Sequence, residues 1–366
     1  MYPDLIFQLA LTRISLIGPV QARILSDQFE SAEDIFKAKR SLLEKIEGIG
    51  TVRADKIRSF CDFKACEQEI AFIEKHEIQP LFLKDPAYPQ RLLNCYDPPT
   101  LLFYKGNADL NASKMIAIIG TRNCSDYGKH FVQTLSETLA QQGAAVVSGL
   151  ALGIDAAAHK SALKNNIPTI GVLAHAMDKI YPYTHKSLAQ EMLSNNGGLL
   201  TEYPSGFGPE RHHFPTRNRI VAGICDAVIV VETGLKGGSM ITAEMAFSYN
   251  RDIFALPGRS TDAKSVGCNH LIKNQKALMI TSGQDLVRMM NWDIQKPKSH
   301  VQRKLFVTLS EEEQKITQAL EAKEQMHIDE LYRSSGLSSS LAAAAILNLE
   351  LQGIVVSLPG KCYRLC

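Results

Sequence analysis

Between residue 115 and about residue 290, short apolar runs alternate with longer stretches whose apolar positions recur at spacings of three and four. The runs are "MIAII", "AAVVS", "PTIGVL", "GGLLTE", "DAVIVVE" and "DIFALP", rich in β-branched residues and of strand length. That alternation predicts a mainly parallel sheet with helices on both faces. Upstream, residues 1–75 show only helical periodicity, as in "LIFQLALTRISLIG" and "PVQARILSDQF". Residues 76–114 connect the two regions, with "DPAYPQRLL" and "YDPPTLLFYKG" supplying prolines and one short strand. Beyond residue 292 the chain turns polar and basic, "WDIQKPKSHVQRK", so 293–308 is expected to be a linker. Three helical segments and a hairpin-like "IVVSLPGKCYRL" follow within 309–366.

The fold class read from this pattern is α/β. A Rossmann-like core over 76–292 is flanked by a helical domain and by a small unit that resembles a winged helix. The segment "IEGIGTVRADKI" (Ile46 to Ile57) resembles a helix-hairpin-helix module, whose glycines allow a tight turn and expose backbone N–H groups at a helix start. "SLIGPVQARIL" (Ser15 to Leu25) reads as a second copy, with Ser15 replacing the first glycine. Two such units form a compact helical domain and are often purely structural.

With 366 residues, 45% of them hydrophobic, the chain is long enough for two or three domains and a sizeable core. No uncharged apolar run reaches the roughly 18–20 residues that cross a bilayer. Asp4 and Arg13 interrupt the stretch where a signal peptide would carry its apolar core, so a cytoplasmic protein is expected. The eight cysteines show neither a Cys-x-x-Cys pair nor matched histidine spacing, which argues against a disulfide framework or a zinc site. A formal charge of +2 means that any nucleic-acid affinity must come from a local patch.

Candidate chemistry begins at Gly120. "GTRNCSDYGKH" follows a strand and precedes a helix, placing Gly120, Thr121, Arg122, Tyr127 and Gly128 where α/β folds bind phosphate. It is neither Gly-x-Gly-x-x-Gly nor a Walker loop, which counts against dinucleotides and triphosphates. The plain alternative is a loop arginine held in a salt bridge. Next, "SGLALGIDAAAH" brings Gly149 and Gly153 close to the same crevice. Asp155 and His159, four apart, are conceivable as a catalytic pair, although an aspartate in a first helical turn more often caps the helix. "FPTRNRIVAG" contributes Arg217, Asn218 and Arg219, and "KGGSMITAEMA" opens a helix with Gly237, Gly238, Ser239 and Thr242. Backbone amides, arginine, asparagine and hydroxyls suit a sugar-phosphate chain. No nucleophile with its base, carboxylate pair or set of metal ligands can be assembled, so neither an enzyme nor a cofactor or metal is expected.

Taken in order, "GTRNCSDYG", "SGLALGIDAAAH", "MDKIYP", "FPTRNRIVAG", "VVETGLKGGSMITAEMA" and "LPGRSTDAKSVGCNHLI" resemble the DNA-processing protein A (DprA/Smf) family over about residues 85–290. The resemblance implies a homodimeric single-stranded-DNA-binding protein that protects incoming DNA and loads the RecA recombinase during natural transformation, without catalysis. It further implies that Arg122 grips the DNA backbone, joined by the Arg217-Asn218-Arg219 element and the glycine-hydroxyl helix start. Many members read Tyr-Pro-Lys-x-Asn after the third strand. This chain has Tyr181-Pro182-Tyr183-Thr184-His185 there, leaving Lys179 or Lys186 as replacement cations and Tyr183 as a base-stacking group, with His185 beside them.

Two rivals differ in kind. A LOG-type nucleotide phosphoribohydrolase would need Pro-Gly-Gly-x-Gly-Thr-x-x-Glu. Glu244 fits the spacing, but Met240 and Ile241 stand where Gly-Thr belongs. A duplex-DNA regulator working through the winged helix would need cations, and none occurs from Ser334 to Gly360.

Overall fold

The computed structural model describes residues 4–292 and 309–365; the expected linker, 293–308, lies outside the described residues. The chain divides into two units, Met1–Ser282 and Gly283–Cys366.

The first unit opens with helices α1 (Leu5–Arg13), α2 (Pro19–Gln28), α3 (Ala32–Lys37), α4 (Arg40–Leu43), α5 (Gly50–Arg58) and α6 (Phe63–Lys75). Their apolar faces, including Leu9, Leu25, Ile35 and Ile57, enclose one core, which also takes in Phe82, Leu101 and Phe103 of the adjoining sheet. The two hairpin turns confirm an internal duplication and correct its register. Gly48 has φ +82° and Gly50 +64°, while the residue matching Gly48 is Leu16, at φ +70°, and not Ser15. Leucine is strained in a conformation that glycine adopts freely. Arg53 ties the copies together, donating to the Leu16 carbonyl at 3.0 Å and the Gly48 carbonyl at 3.1 Å.

Among the described residues a nine-stranded sheet follows, built from β1 (Gln79–Phe82), β2 (Leu101–Gly106), β3 (Met115–Ile119), β4 (Ala145–Ser148), β5 (Thr169–Val172), β6 (Gly198–Thr201), β7 (Ala227–Val230), β8 (Asp252–Ala255) and β9 (Leu278–Met279). Its order is β1-β2-β6-β5-β4-β3-β7-β8-β9. β1 and β2 pair antiparallel, β2 also meets β6 antiparallel, and the remaining pairs are parallel. Each strand from β3 to β7 is buried along its whole length, which is why consecutive positions are apolar rather than alternating. The helices in this region are α7 (Asp126–Gln141), α8 (Ile154–Lys164), α9 (Lys186–Ser194), α10 (His213–Gly223), α11 (Gly238–Ser248) and α12 (Val266–Lys273). From β3 the chain steps to β4 on one side, whereas β7 lies on the other. The carboxyl ends of these strands therefore flank a topological switch point, where sheets of this kind bind ligands.

One ion pair fixes the opposite end of the sheet. Arg91 donates to both carboxylate oxygens of Asp226, at 2.6 and 3.0 Å, and the same carboxylate accepts from the Met115 amide at 2.8 Å. Both side chains are more than nine-tenths buried.

In the second unit, α13 (Gly283–Met289) precedes α14 (Glu311–Glu321), β10 (Met326–His327), α15 (Ile328–Ser335), α16 (Ser339–Leu351), β11 (Val355–Leu358) and β12 (Cys362–Leu365). The strands pair antiparallel in the order β10-β12-β11 and close a core of Ile316, Leu331, Ile346 and Leu349, a winged helix. Strand β10 is an addition to the expected hairpin. Among the described residues no helix is long and apolar enough to cross a membrane.

Candidate nucleic-acid interface

A crevice of about 370 Å³ opens at the switch point. Its walls include Gly120, Thr121 and Arg122 after β3, Gly149 and Ala151 after β4, Thr233, Gly234 and Lys236 to Gly238 after β7, and one face of α10. The ends of three strands and a helix face make the site. The α10 face consists of Phe214, Arg217, Asn218 and Val221, spaced i, i+3, i+4, i+7.

Glycines set how closely these loops approach. A Cβ at Gly153, which has φ +82°, would stand 2.2 Å from the Thr121 carbonyl oxygen. A Cβ on Gly149 would lie 2.7 Å from the Arg217 guanidinium, which donates to the Gly149 carbonyl at 2.6 Å and also to that of Val172. Arg217 is thus a buried strut with its head at the crevice wall, and burial lowers its pKa to about 10, leaving it charged at neutral pH. Asn218 bridges from Arg217 Nε, at 3.2 Å, to the Gly238 carbonyl, at 3.1 Å. Thr242 donates to that same carbonyl at 2.9 Å, and Ser239 to Thr233 Oγ1 at 2.7 Å.

Two helix starts compete as anion sites, and the structure distinguishes them. The amino terminus of α7 is already occupied. Ser125 Oγ accepts from the Gly128 amide at 3.2 Å, and the buried Glu232 carboxylate accepts from the Ser125 amide at 2.8 Å and from its hydroxyl. A carboxylate sits where the loop sequence promised a phosphate. By contrast α11, which begins at Gly238 after the exposed Gly237, carries no side-chain cap, and both residues line the crevice. Lys236, Gly237 and Gly238 line the opening, so of the two helix starts it is that of α11 that no side chain of the protein caps.

Several expected residues lie elsewhere. Gly128 packs on Glu232, and Tyr127 donates to the Pro257 carbonyl at 3.0 Å beside a separate cavity. Arg219 points away from the crevice: it is 6% exposed and bonded to Glu202 and to the Asp97 carbonyl. Two residues beyond Arg217 on a helix, it must face another direction. His185 is largely buried, with Nδ1 2.9 Å from the Leu150 carbonyl, and lines not the crevice but a groove beside it. Tyr183 is 77% exposed, and Lys186 Nζ stands 6.0 Å from its ring centroid; Lys179 is exposed nearby in sequence.

Asp155 holds a loop. Its carboxylate accepts from the Gly149 and Ala151 amides at 3.1 and 3.3 Å, and burial raises its pKa against the opposing Arg217 charge. His159 turns the other way, with Nδ1 2.7 Å from Thr169 Oγ1, and burial depresses its pKa to about 3. The two form no catalytic couple. Glu244 lies outside the crevice and is paired with Lys276 at 2.7 Å.

The sequence reading omitted Phe214, Tyr181 and Lys236. Arg122 lies over the Phe214 ring at 5.6 Å, and Tyr181 meets that ring edge-on at 5.8 Å. Arg122 also borders a second groove of about 510 Å³, lined by Lys129, Lys160 and Gly153 and by no carboxylate. Together the two depressions form a cationic track with an aromatic flank.

The family model of DNA recombination-mediator protein A matches residues 79–291. The chain belongs to that family. Further matches are a DprA winged helix domain over 307–361 and a SAM-like helix-hairpin-helix tandem over 8–62. The chain is 39% identical over 274 residues to the DNA processing protein DprA of Streptococcus pneumoniae, covering 69% of this chain and 96% of that one. It is 31% identical over 338 residues to protein Smf of Escherichia coli, covering 90% and 89%. Among solved DprA structures, that of S. pneumoniae superposes with a TM-score of 0.66 at 34% identity over 77% of this chain and 97% of that one. DNA processing protein A of Helicobacter pylori, studied for its single-stranded DNA binding mode, superposes with a TM-score of 0.53 at 34% identity over 59% and 98%. The matched DprA core contains the crevice and the groove beside it.

Proposed function

We propose that this DprA-family chain binds single-stranded DNA along the crevice and its neighbouring groove, and delivers the strand to the RecA recombinase as a cytoplasmic homodimer without catalysing a reaction of its own. The observation that carries the reading is the uncapped start of α11 set beside Lys236 and Arg122, continuous with a groove lined by Arg122, Lys129 and Lys160 and by no carboxylate, although Lys129 reaches Asp126 at 3.0 Å outside the lining. Phosphates are met by amides and cations, while exposed aromatic rings offer faces to unpaired bases. The DNA-binding mode of the H. pylori relative supports the same reading. Of the expected contacts, Gly120, Thr121, Arg122, Tyr183, Asn218, Gly237, Gly238 and Ser239 remain in this proposal; Arg219, Tyr127 and Gly128 are taken to serve the fold.

Single strands are expected to bind well above duplex, with little dependence on base sequence. In a salt titration of the full chain, Arg122→Ala should flatten the slope of log affinity against log salt by about 0.7, the equivalent of one lost phosphate contact on a single strand. Tyr183→Ala should weaken binding by about 1–3 kcal/mol at an unchanged slope, the signature of lost stacking. Equal affinity for duplex, or an unaltered slope in folded Arg122→Ala, would return the crevice arginine to a structural role. For delivery, the chain should accelerate RecA assembly on strands precoated with single-strand-binding protein, as followed by RecA's strand-dependent ATP hydrolysis.

A further inference from the structure

The loop between β6 and α10 gathers side chains that the crevice does not use. We propose that Glu210, His212 and His213 form a binding site for a divalent transition-metal ion of the zinc or nickel class, independent of the DNA-binding reading. One donor atom from each residue lies within 4.8 Å of the other two. His212 Nδ1 and a Glu210 carboxylate oxygen are 3.5 Å apart. Donors around a tetrahedral ion with bonds of about 2.1 Å stand about 3.4 Å apart, so one edge of the polyhedron is already at length.

The turn that gathers the donors is held by the chain itself. The Glu210 amide donates to the Gly208 carbonyl at 3.0 Å, and the His213 amide to the Glu210 carbonyl at 3.0 Å. His213 is buried beside Tyr203, with ring centroids 4.3 Å apart, and its Nδ1 lies 3.1 Å from the Gly208 carbonyl oxygen. A carbonyl can only accept, so Nδ1 carries the proton and Nε2 keeps the lone pair. This arrangement is the one that fixes tautomer and ring orientation in metal-bound histidines. Two imidazoles and one carboxylate favour borderline transition metals over magnesium or calcium, which prefer oxygen. Three protein ligands leave a coordination position for water or an outside donor. The sequence reading set metals aside because it searched for cysteines; Glu-x-His-His carries the donors instead.

Location gives the site a consequence. His213 is the first residue of α10 and adjoins Phe214, which lines the crevice, so a bound ion would pin the loop to the helix that carries Arg217.

The test uses the untagged full chain, with ZnCl2 followed by calorimetry and CoCl2 by visible absorption. One equivalent should bind, with cobalt giving d–d bands but no near-ultraviolet thiolate charge-transfer band. His212→Ala and Glu210→Gln change exposed residues and should leave the fold intact. His212→Ala should lower zinc affinity beyond the roughly 10- to 100-fold that loss of an outer-shell partner costs. Trypsin cleavage after the exposed Arg211 should slow on zinc addition in the parent chain and not in His212→Ala. Absence of a one-equivalent event, a thiolate band, undiminished affinity in His212→Ala, or cleavage indifferent to zinc would each overturn the site. None of these readouts involves DNA, so failure here is separate from failure of the crevice.

Discussion

Asp226→Ala is expected to destabilise the sheet-containing unit by about 3–5 kcal/mol, the range for breaking a buried ion pair from one side. The reason is the charge that stays behind. Arg91 is 6% exposed, and the substitution removes both of its bonds to the Asp226 carboxylate while its guanidinium keeps the Ser113 carbonyl at 3.2 Å. The Met115 amide, buried at the start of β3, loses its acceptor as well. For a domain of this size the loss corresponds to a fall in Tm of roughly 10 °C, measurable by circular dichroism. Asp226→Asn should fall between the two, since an amide oxygen still accepts while the charge is gone. Arg40 and Asp55 form a contrasting control: both are more than half exposed, and their 2.7 Å pair should be worth less than about 1 kcal/mol. A loss below about 1 kcal/mol in Asp226→Ala would mean that the carboxylate is dispensable to the sheet.

Gly153→Ala is expected to damage folding and DNA binding together. Its backbone, at φ +82° and ψ −124°, lies outside the regions that residues with a Cβ occupy, costing about 1–3 kcal/mol. The new methyl carbon would also stand 2.2 Å from the Thr121 oxygen and 2.5 Å from the Arg122 oxygen, both backbone atoms that cannot swing aside. The β3 loop must therefore retreat, carrying Arg122 away from the Phe214 ring. Single-strand affinity should drop at least about tenfold, equivalent to about 1.4 kcal/mol, with a shallower salt slope because a cation has moved. Gly143→Ala provides the control for conformation alone, since it has φ +62° with open space around it. If Gly153→Ala bound DNA with unchanged affinity, the approach of the two loops would be irrelevant to the interface.

The strands from β3 to β8 were legible because burial on both faces writes unbroken apolar runs into the sequence; their order across the sheet was not. β1 and β9 were not. β1 is an outer strand containing Pro80, which disguises it, and β9 is two exposed residues long. At the site, the glycine loops could be read directly, since close approach demands glycine. Which helix start was vacant could not be read, because Glu232 reaches Ser125 across 107 positions of chain. Arg219 could have been separated from Arg217 by helical geometry alone, and the same geometry places Phe214 beside Arg217 and Asn218. Lys236 left no comparable trace: one lysine before two glycines says nothing about which way its loop folds.

Glu232 gives the architecture a further meaning. By seating its own anion at the head of α7, the chain has closed the position that a mononucleotide phosphate would take in a fold of this type and left the head of α11 open. An enclosed phosphate pocket grips one end of a small molecule. An open helix head on the wall of a trough has no such end to grip, and it can meet any phosphate of a polymer that slides past. On the proposed reading, the internal carboxylate exchanges selectivity for a terminus for indifference to position along a chain, the indifference that binding a strand anywhere along its length requires.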